Sequence, residues 1–162
     1  MTTTSAPLPV GDRPVDAPGT RFGAACDADA RDSSVRRMRS FVSHAVRRLD
    51  LPEDVRDTAR LVVSELVTNA VLHSGSHSVT VLVGMGPGRL LITVRDHGRW
   101  RDRGGTRHSA GDADASCGRG LDLVRALTER CTVVSGPDGT VVAAEVRLAP
   151  RTRVPDAAGA FR

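Results

Sequence analysis

Lysine is absent: all 23 basic residues of the 162-residue chain are arginine. That excludes a G-x-x-x-x-G-K-[ST] phosphate loop, which depends on the lysine ammonium. Aromatic residues make up 2% and tyrosine is missing, so the chain offers almost no stacking platforms for unpaired bases and does not read as a nucleic-acid binder. The net charge of +4 is carried by arginines scattered along the sequence, not gathered in one patch. No apolar run approaches the ~20 residues that cross a bilayer, so no membrane span is expected. The N-terminus lacks the charged start and apolar stretch of a secretory signal. The cytoplasm is therefore the expected compartment. Cys26, Cys117 and Cys131 are widely spaced and form no C-x-x-C pair, which argues against zinc or redox work and for reduced thiols in or near the core.

What is present suits one soluble domain with polar ends. Hydrophobic residues make up 40% and charged residues 26%, ordinary values for a globular chain. Residues 1–19 carry four of the nine prolines, show no periodicity, and are expected to form a disordered tail. Residues 150–162 read the same way, leaving 20–149 as the folded domain. Within it, Thr20 to Cys26 suggests a short edge strand. Val35 to Leu49 has apolar residues at helical spacing, and the Leu51-Pro52 step is expected to end that helix. A second helix is expected from Glu53 to about His73, opened by Pro52 and two acids and stopped by Gly75. Val79–Val83 and Leu90–Val94 read as a hairpin across Gly84 to Gly88. A polar stretch over about 99–117 reads as a lid or binding loop. A short helix from Gly120 to about Glu129 follows, then a hairpin of Cys131–Val134 and Thr140–Leu148. Short turns between consecutive strands make them antiparallel. The expected fold is an α/β two-layer sandwich, with a mixed, largely antiparallel sheet and helices on one face.

Four features carry chemistry. Glu65, Asn69 and His73 fall at i, i+4 and i+8 of the second helix, a polar line beside its apolar stripe. Asn is a neutral oxygen ligand suited to Mg²⁺, which binds few protein groups, and Glu65 is placed to act as a base beside it. From the helix alone, the line reads first as a partly exposed polar edge. Asp96-His97-Gly98 follows a strand, where a carboxylate beside a glycine suits the exocyclic amine of a flat base, or simply a turn. Gly118-Arg119-Gly120-Leu121, at the end of the loop and the start of a helix, suits a phosphate. Gly139-Thr140 opens the last strand, with a hydroxyl in reach of a base or a bridging water.

In this order the four motifs resemble the GHKL superfamily of ATP-binding domains, which includes gyrase, histidine kinases and MutL-like ATPases. The resemblance spans about Thr20 to Leu148. Its length and the run Arg95-Asp96-His97-Gly98-Arg99-Trp100 are similar to the anti-sigma-factor serine/threonine kinases. That resemblance implies ATP and Mg²⁺ as cofactors, with Asn69 on the metal, Glu65 as general base and Asp96 on the adenine amine. It implies Gly98, Gly118 and Gly120 shaping the pocket and lid, Arg119 near a phosphate and Thr140 near the base. It further implies phosphorylation of a serine on an antagonist (anti-anti-sigma) protein, capture of a sigma factor, and a homodimer. An ATP-binding regulator without phosphotransfer, or a slow ATPase, stays open. A histidine-kinase reading would need a phosphoacceptor, and His44 is followed by Ala45-Val46-Arg47, without the acid and proline of such a box.

Overall fold

The computed structural model describes residues 19–98 and 116–149, with the backbone alone for 116–119. In chain order the elements are β1 (Arg21–Asp29), α1 (Asp32–Arg48), α2 (Glu53–His73), β2 (Ser78–Gly86), β3 (Arg89–Asp96), α3 (Ser116–Leu127), β4 (Arg130–Gly136) and β5 (Gly139–Arg147). The strands form one sheet in the order β1-β2-β3-β5-β4, and all four pairings are antiparallel. The parallel component allowed for by the sequence reading is not found among the described residues. Of the expected tails, 1–19 and 150–162, and the expected lid, about 99–117, only Gly19 and the backbone of 116–117 lie among them.

Strand alternation divides the sheet into two faces. Val79, Val81 and Val83 of β2, Leu90, Ile92 and Val94 of β3, and Val142, Ala144 and Val146 of β5 join one buried cluster with residues of all three helices. Helix α2 is its spine, burying Val55, Ala59, Val62, Val63, Leu66, Val67 and Ala70. It starts as its sequence suggests, with Pro52 at the cap and Glu53 and Asp54 in the first turn, where acids complement the helix dipole.

Several boundaries move for identifiable reasons. Helix α1 ends at Arg48, before the Leu51-Pro52 step, because Asp50 takes a left-handed conformation (φ 51°). Its N–H donates to the Arg47 carbonyl at 3.0 Å, and the Leu51 N–H donates to the Val46 carbonyl at 3.4 Å. These two bonds are the paired closure of a Schellman motif, here built on aspartate instead of glycine. The first hairpin turns only at Pro87-Gly88, with Gly84 and Gly86 inside β2. Helix α3 begins at Ser116, four residues ahead of its expected start at Gly120. No helix among the described residues is long and apolar enough to cross a membrane.

Leu66 is fully buried in the middle of α2. Leu66→Ala is expected to cost about 3 kcal/mol of stability through lost transfer energy and the cavity left behind, read as a lowered urea midpoint with unchanged slope.

Candidate functional site

Two groups of residues meet at the end of the sandwich where α2 and β3 finish. The first lies between α2 and α3. Asn69 is 5% exposed, and its Nδ2 is buried with no hydrogen-bond partner. Glu65, one turn earlier, is half-buried. Gly120 of α3 faces both: a Cβ at that position would stand 2.6 Å from Glu65 Oε2 and 3.7 Å from Asn69 Nδ2. The glycine is what lets α3 close onto the polar line. His73 completes that line as the last residue of α2, half-buried.

The Gly118–Gly120 stretch, expected to precede the helix, lies inside α3. With α3 starting at Ser116, Gly118 falls among the first residues, whose N–H groups have no intrahelical acceptor. Gly120 lies one turn in, so its N–H belongs to the helix, and its contribution is the close approach to Glu65. Leu121 packs against the core. The side chain of Arg119 lies outside the described residues.

The second group sits at the strand ends. Asp96 is 1% exposed, pairs with Val79 on one side and Thr140 on the other, and accepts the Gly98 N–H on Oδ1 at 2.9 Å. That bond is an Asx turn, which steers the chain sharply out of β3. A Cβ on Gly98 would run into the Ser74 carbonyl, and one on Gly139, whose φ is 130°, into the Asp96 carbonyl. Thr140 is fully buried, with its hydroxyl 3.3 Å from that of Ser135.

A serine-rich turn joins the groups. Ser74 Oγ donates to the Ala70 carbonyl at 2.5 Å and accepts the Ser76 N–H at 3.0 Å. Ser76 Oγ donates to the Ser78 carbonyl at 2.6 Å and accepts the His97 N–H at 3.0 Å. The end of α2 is thereby tied to the end of β3, which fixes Asn69 relative to Asp96. The sequence reading gave these serines no role, although the run Ser74-Gly75-Ser76-His77-Ser78 is the signature of hydroxyls capping backbone groups.

Elsewhere the chemistry is muted. Burial pushes the thiols of Cys26 and Cys131 up, which disfavours the reactive thiolate. Among the described residues no cluster of three or more His, Cys, Asp or Glu forms a metal cage. Two open hollows among the described residues lie away from the site, one lined by Asp54, Thr58, Glu129 and Arg147, the other by Arg39, His44, Arg47 and Arg60.

Residues 28–146 match the model of the histidine kinase-like ATPase domain. The chain belongs to that family. Membership bears out the GHKL resemblance and implies ATP as the ligand. Among solved structures the chain is similar to the RsbU and RsbW domains of Rv1364c from Mycobacterium tuberculosis, at 19% identity and a TM-score of 0.57. That match covers 79% of this chain and 34% of the other, so the chain spans about a third of its relative, and the likeness concerns the fold. A blue-light activated histidine kinase from Erythrobacter litoralis matches at 23% identity, with a TM-score of 0.43, over 66% of this chain and 39% of that one. The histidine kinase domain of the same protein matches at 25% and 0.44, over 78% and 66%. Among curated proteins no match is found.

Gly139 is the position where the site's backbone has least freedom. Gly139→Ala forces both a left-handed φ and a clash with the Asp96 carbonyl. It is expected to cost more than about 1 kcal/mol in chemical denaturation and to weaken ATP binding in the same samples.

Proposed function

We propose that the protein binds Mg·ATP between α2, α3 and the β3 end, and transfers the γ-phosphoryl group to a serine of an antagonist protein, while the dimeric protein holds a sigma factor in the cytoplasm. The observation that carries the nucleotide half is the buried, unpartnered amide of Asn69 against Glu65 and Gly120. A buried amide without a partner costs roughly 1–3 kcal/mol, a cost a bound ligand removes. Rotating the amide by 180° exchanges nitrogen for oxygen at nearly constant shape, so Asn69 has an oxygen to give a hard cation.

These residues fit Mg²⁺, which takes one or two protein oxygens and fills its octahedron with water and phosphate. Asn69 would hold it, and when bound it neutralises charge on the β- and γ-phosphates. The rest falls to the chain itself. Asp96 accepts from the adenine amine; a carboxylate has several lone pairs, so its bond from Gly98 does not exhaust it. The free N–H groups and positive dipole end of α3 favour the phosphates. Glu65 takes the proton from the substrate serine as its oxygen bonds to the γ-phosphorus, the bond from that phosphorus to the bridging oxygen breaks, and ADP leaves.

The serine-kinase half rests on retention of Glu65 and on the resemblance to anti-sigma-factor kinases. The RsbW domain named in the M. tuberculosis structure is in keeping with it. Incubating the protein with γ-labelled ATP and the partner that co-purifies from its native cell is expected to place label on a serine of that partner. Absence of transfer while ATP is bound would overturn the kinase reading and leave a nucleotide-dependent binder or slow ATPase. Glu65→Gln should keep ATP affinity and lose roughly 10²- to 10⁴-fold in transfer rate, the usual worth of a positioned base.

Asn69→Ala should lower Mg²⁺-dependent ATP affinity by roughly 10- to 100-fold; unchanged titration calorimetry would remove the nucleotide reading altogether. Gly120→Ala separates function from stability. Alanine gains ~1 kcal/mol over glycine inside a helix, and the Glu65 carboxylate is free to swing aside. The melting temperature should hold or rise while phosphotransfer falls on the order of 10²-fold, the cost of misplacing a reacting group by an ångström.

A further inference from the structure

A serine hydroxyl has one hydrogen to donate and two lone pairs with which to accept. At Ser76 all three are used. Its Oγ donates to the Ser78 carbonyl at 2.6 Å and accepts the Ser78 N–H at 3.2 Å and the His97 N–H at 3.0 Å. The two bonds to Ser78 close a local turn, as serine hydroxyls commonly do. The third partner lies 21 residues further along the chain, at the exit of β3, and a cap confined to the turn has no need of it.

What the long-range bond holds is the peptide that follows Asp96. The Asp96 carbonyl and the His97 nitrogen belong to one planar unit. Ser76 holds its N–H, and Gly139 lies against its oxygen, where a Cβ would collide. The next residue rests on the same serine turn. A Cβ on Gly98 would run into the Ser74 carbonyl and stand 2.8 Å from the Ser76 nitrogen, and Gly75 makes that turn in a left-handed conformation (φ 67°). The Gly98 N–H in turn donates to Asp96 Oδ1. Contacts therefore run from the Ser76 hydroxyl through His97 and Gly98 to the buried Asp96 carboxylate.

We infer that Ser76 is a positioning residue that sets the pocket's selectivity for a base carrying an exocyclic amine. It acts through the Asp96–His97 peptide and does not touch the nucleotide. The inference rests on the ATP reading, with Asp96 as the acceptor of the adenine amine, and adds where that selectivity is fixed. A carboxylate reads an amine only when its oxygen meets the N–H in line at hydrogen-bond distance. Releasing the peptide after Asp96 lets the Asx turn open and the carboxylate rotate. The amine's bond is then lost, while contacts to sugar and phosphates stay, because Asn69, Glu65 and α3 are placed by the core and by Gly120. A hydroxyl that only capped the turn would, on removal, loosen the end of α2 and weaken every nucleotide alike.

Titration calorimetry on the full chain with Mg²⁺ compares ATP with purine riboside triphosphate, the same nucleotide with hydrogen in place of the exocyclic amine. The native protein is expected to prefer ATP by at least about tenfold, the worth of one hydrogen bond to a carboxylate. Ser76→Ala should cut that preference to roughly a third or less. Its affinity for purine riboside triphosphate should stay within about twofold, as independent contacts do. Ser76→Thr, which keeps the hydroxyl, should restore the preference. An unchanged preference in Ser76→Ala, when the native protein shows one, would overturn this inference alone and leave the ATP reading standing. So would an equal loss of both nucleotides, or a threonine that restores nothing. A native protein that binds ATP without preferring it removes Asp96 as the amine's acceptor, and this inference with it. Binding of neither nucleotide overturns the ATP reading itself.

Discussion

The close approach of α3 to α2 at Gly120 sets the terms for the whole site. Glu65 and Asn69 lie at the border of α2, with Leu66, Val67 and Ala70 in the core on one side and α3 on the other. Had α3 carried a side chain there, its first carbon would stand 2.6 Å from the Glu65 carboxylate, and either the helix would retreat or the glutamate would turn out to solvent. Glycine inside a helix is destabilising by roughly 0.5–1 kcal/mol relative to alanine. Its presence one turn into α3 is therefore explained by what it faces, not by the helix it sits in. Val124, one turn on and fully buried, anchors α3 so that the approach is held.

The strand-end group depends on the same tactic of removing Cβ atoms. Gly98 and Gly139 lie against the Ser74 and Asp96 carbonyls, so the β3–β5 ladder, the turn after α2 and the exit from β3 interlock with no side chain between them. The serine hydroxyls then satisfy the backbone groups that the turns leave unpaired, which buried backbone requires. A buried carboxylate at position 96 is held in place by neighbours on three elements.

The sequence made the elements and their order legible because hydrophobic period is a local property. The apolar stripe of α2 and the two β-branched hairpins are set by residues a few positions apart. The ends were less so. Asp50 closing α1 in a left-handed conformation, and Ser116 opening α3 ahead of its glycines, depend on backbone geometry that residue type only biases. The site was legible as a set of motifs in order, and their grouping was not: nothing in the spacing of Gly120 tells that it touches Glu65 some fifty residues earlier. The serine turn was visible and passed over, since Ser and Gly after a helix read first as an ordinary stop.

Among the described residues, three buried side-chain atoms lack partners: those of Asn69, Thr20 and Thr93. Native structures leave few such groups, because each forgoes a hydrogen bond it had in water. A random scatter of packing faults would place them anywhere in the interior. Here one lies between two helices beside a carboxylate and a bare glycine, and the other two lie on the sheet face turned away from the described helices. The first borders the surface where a nucleotide is expected. The middle of the core between the helices and the inner sheet face is lined by Met38, Val42, Val62, Leu66, Ile92 and Val142.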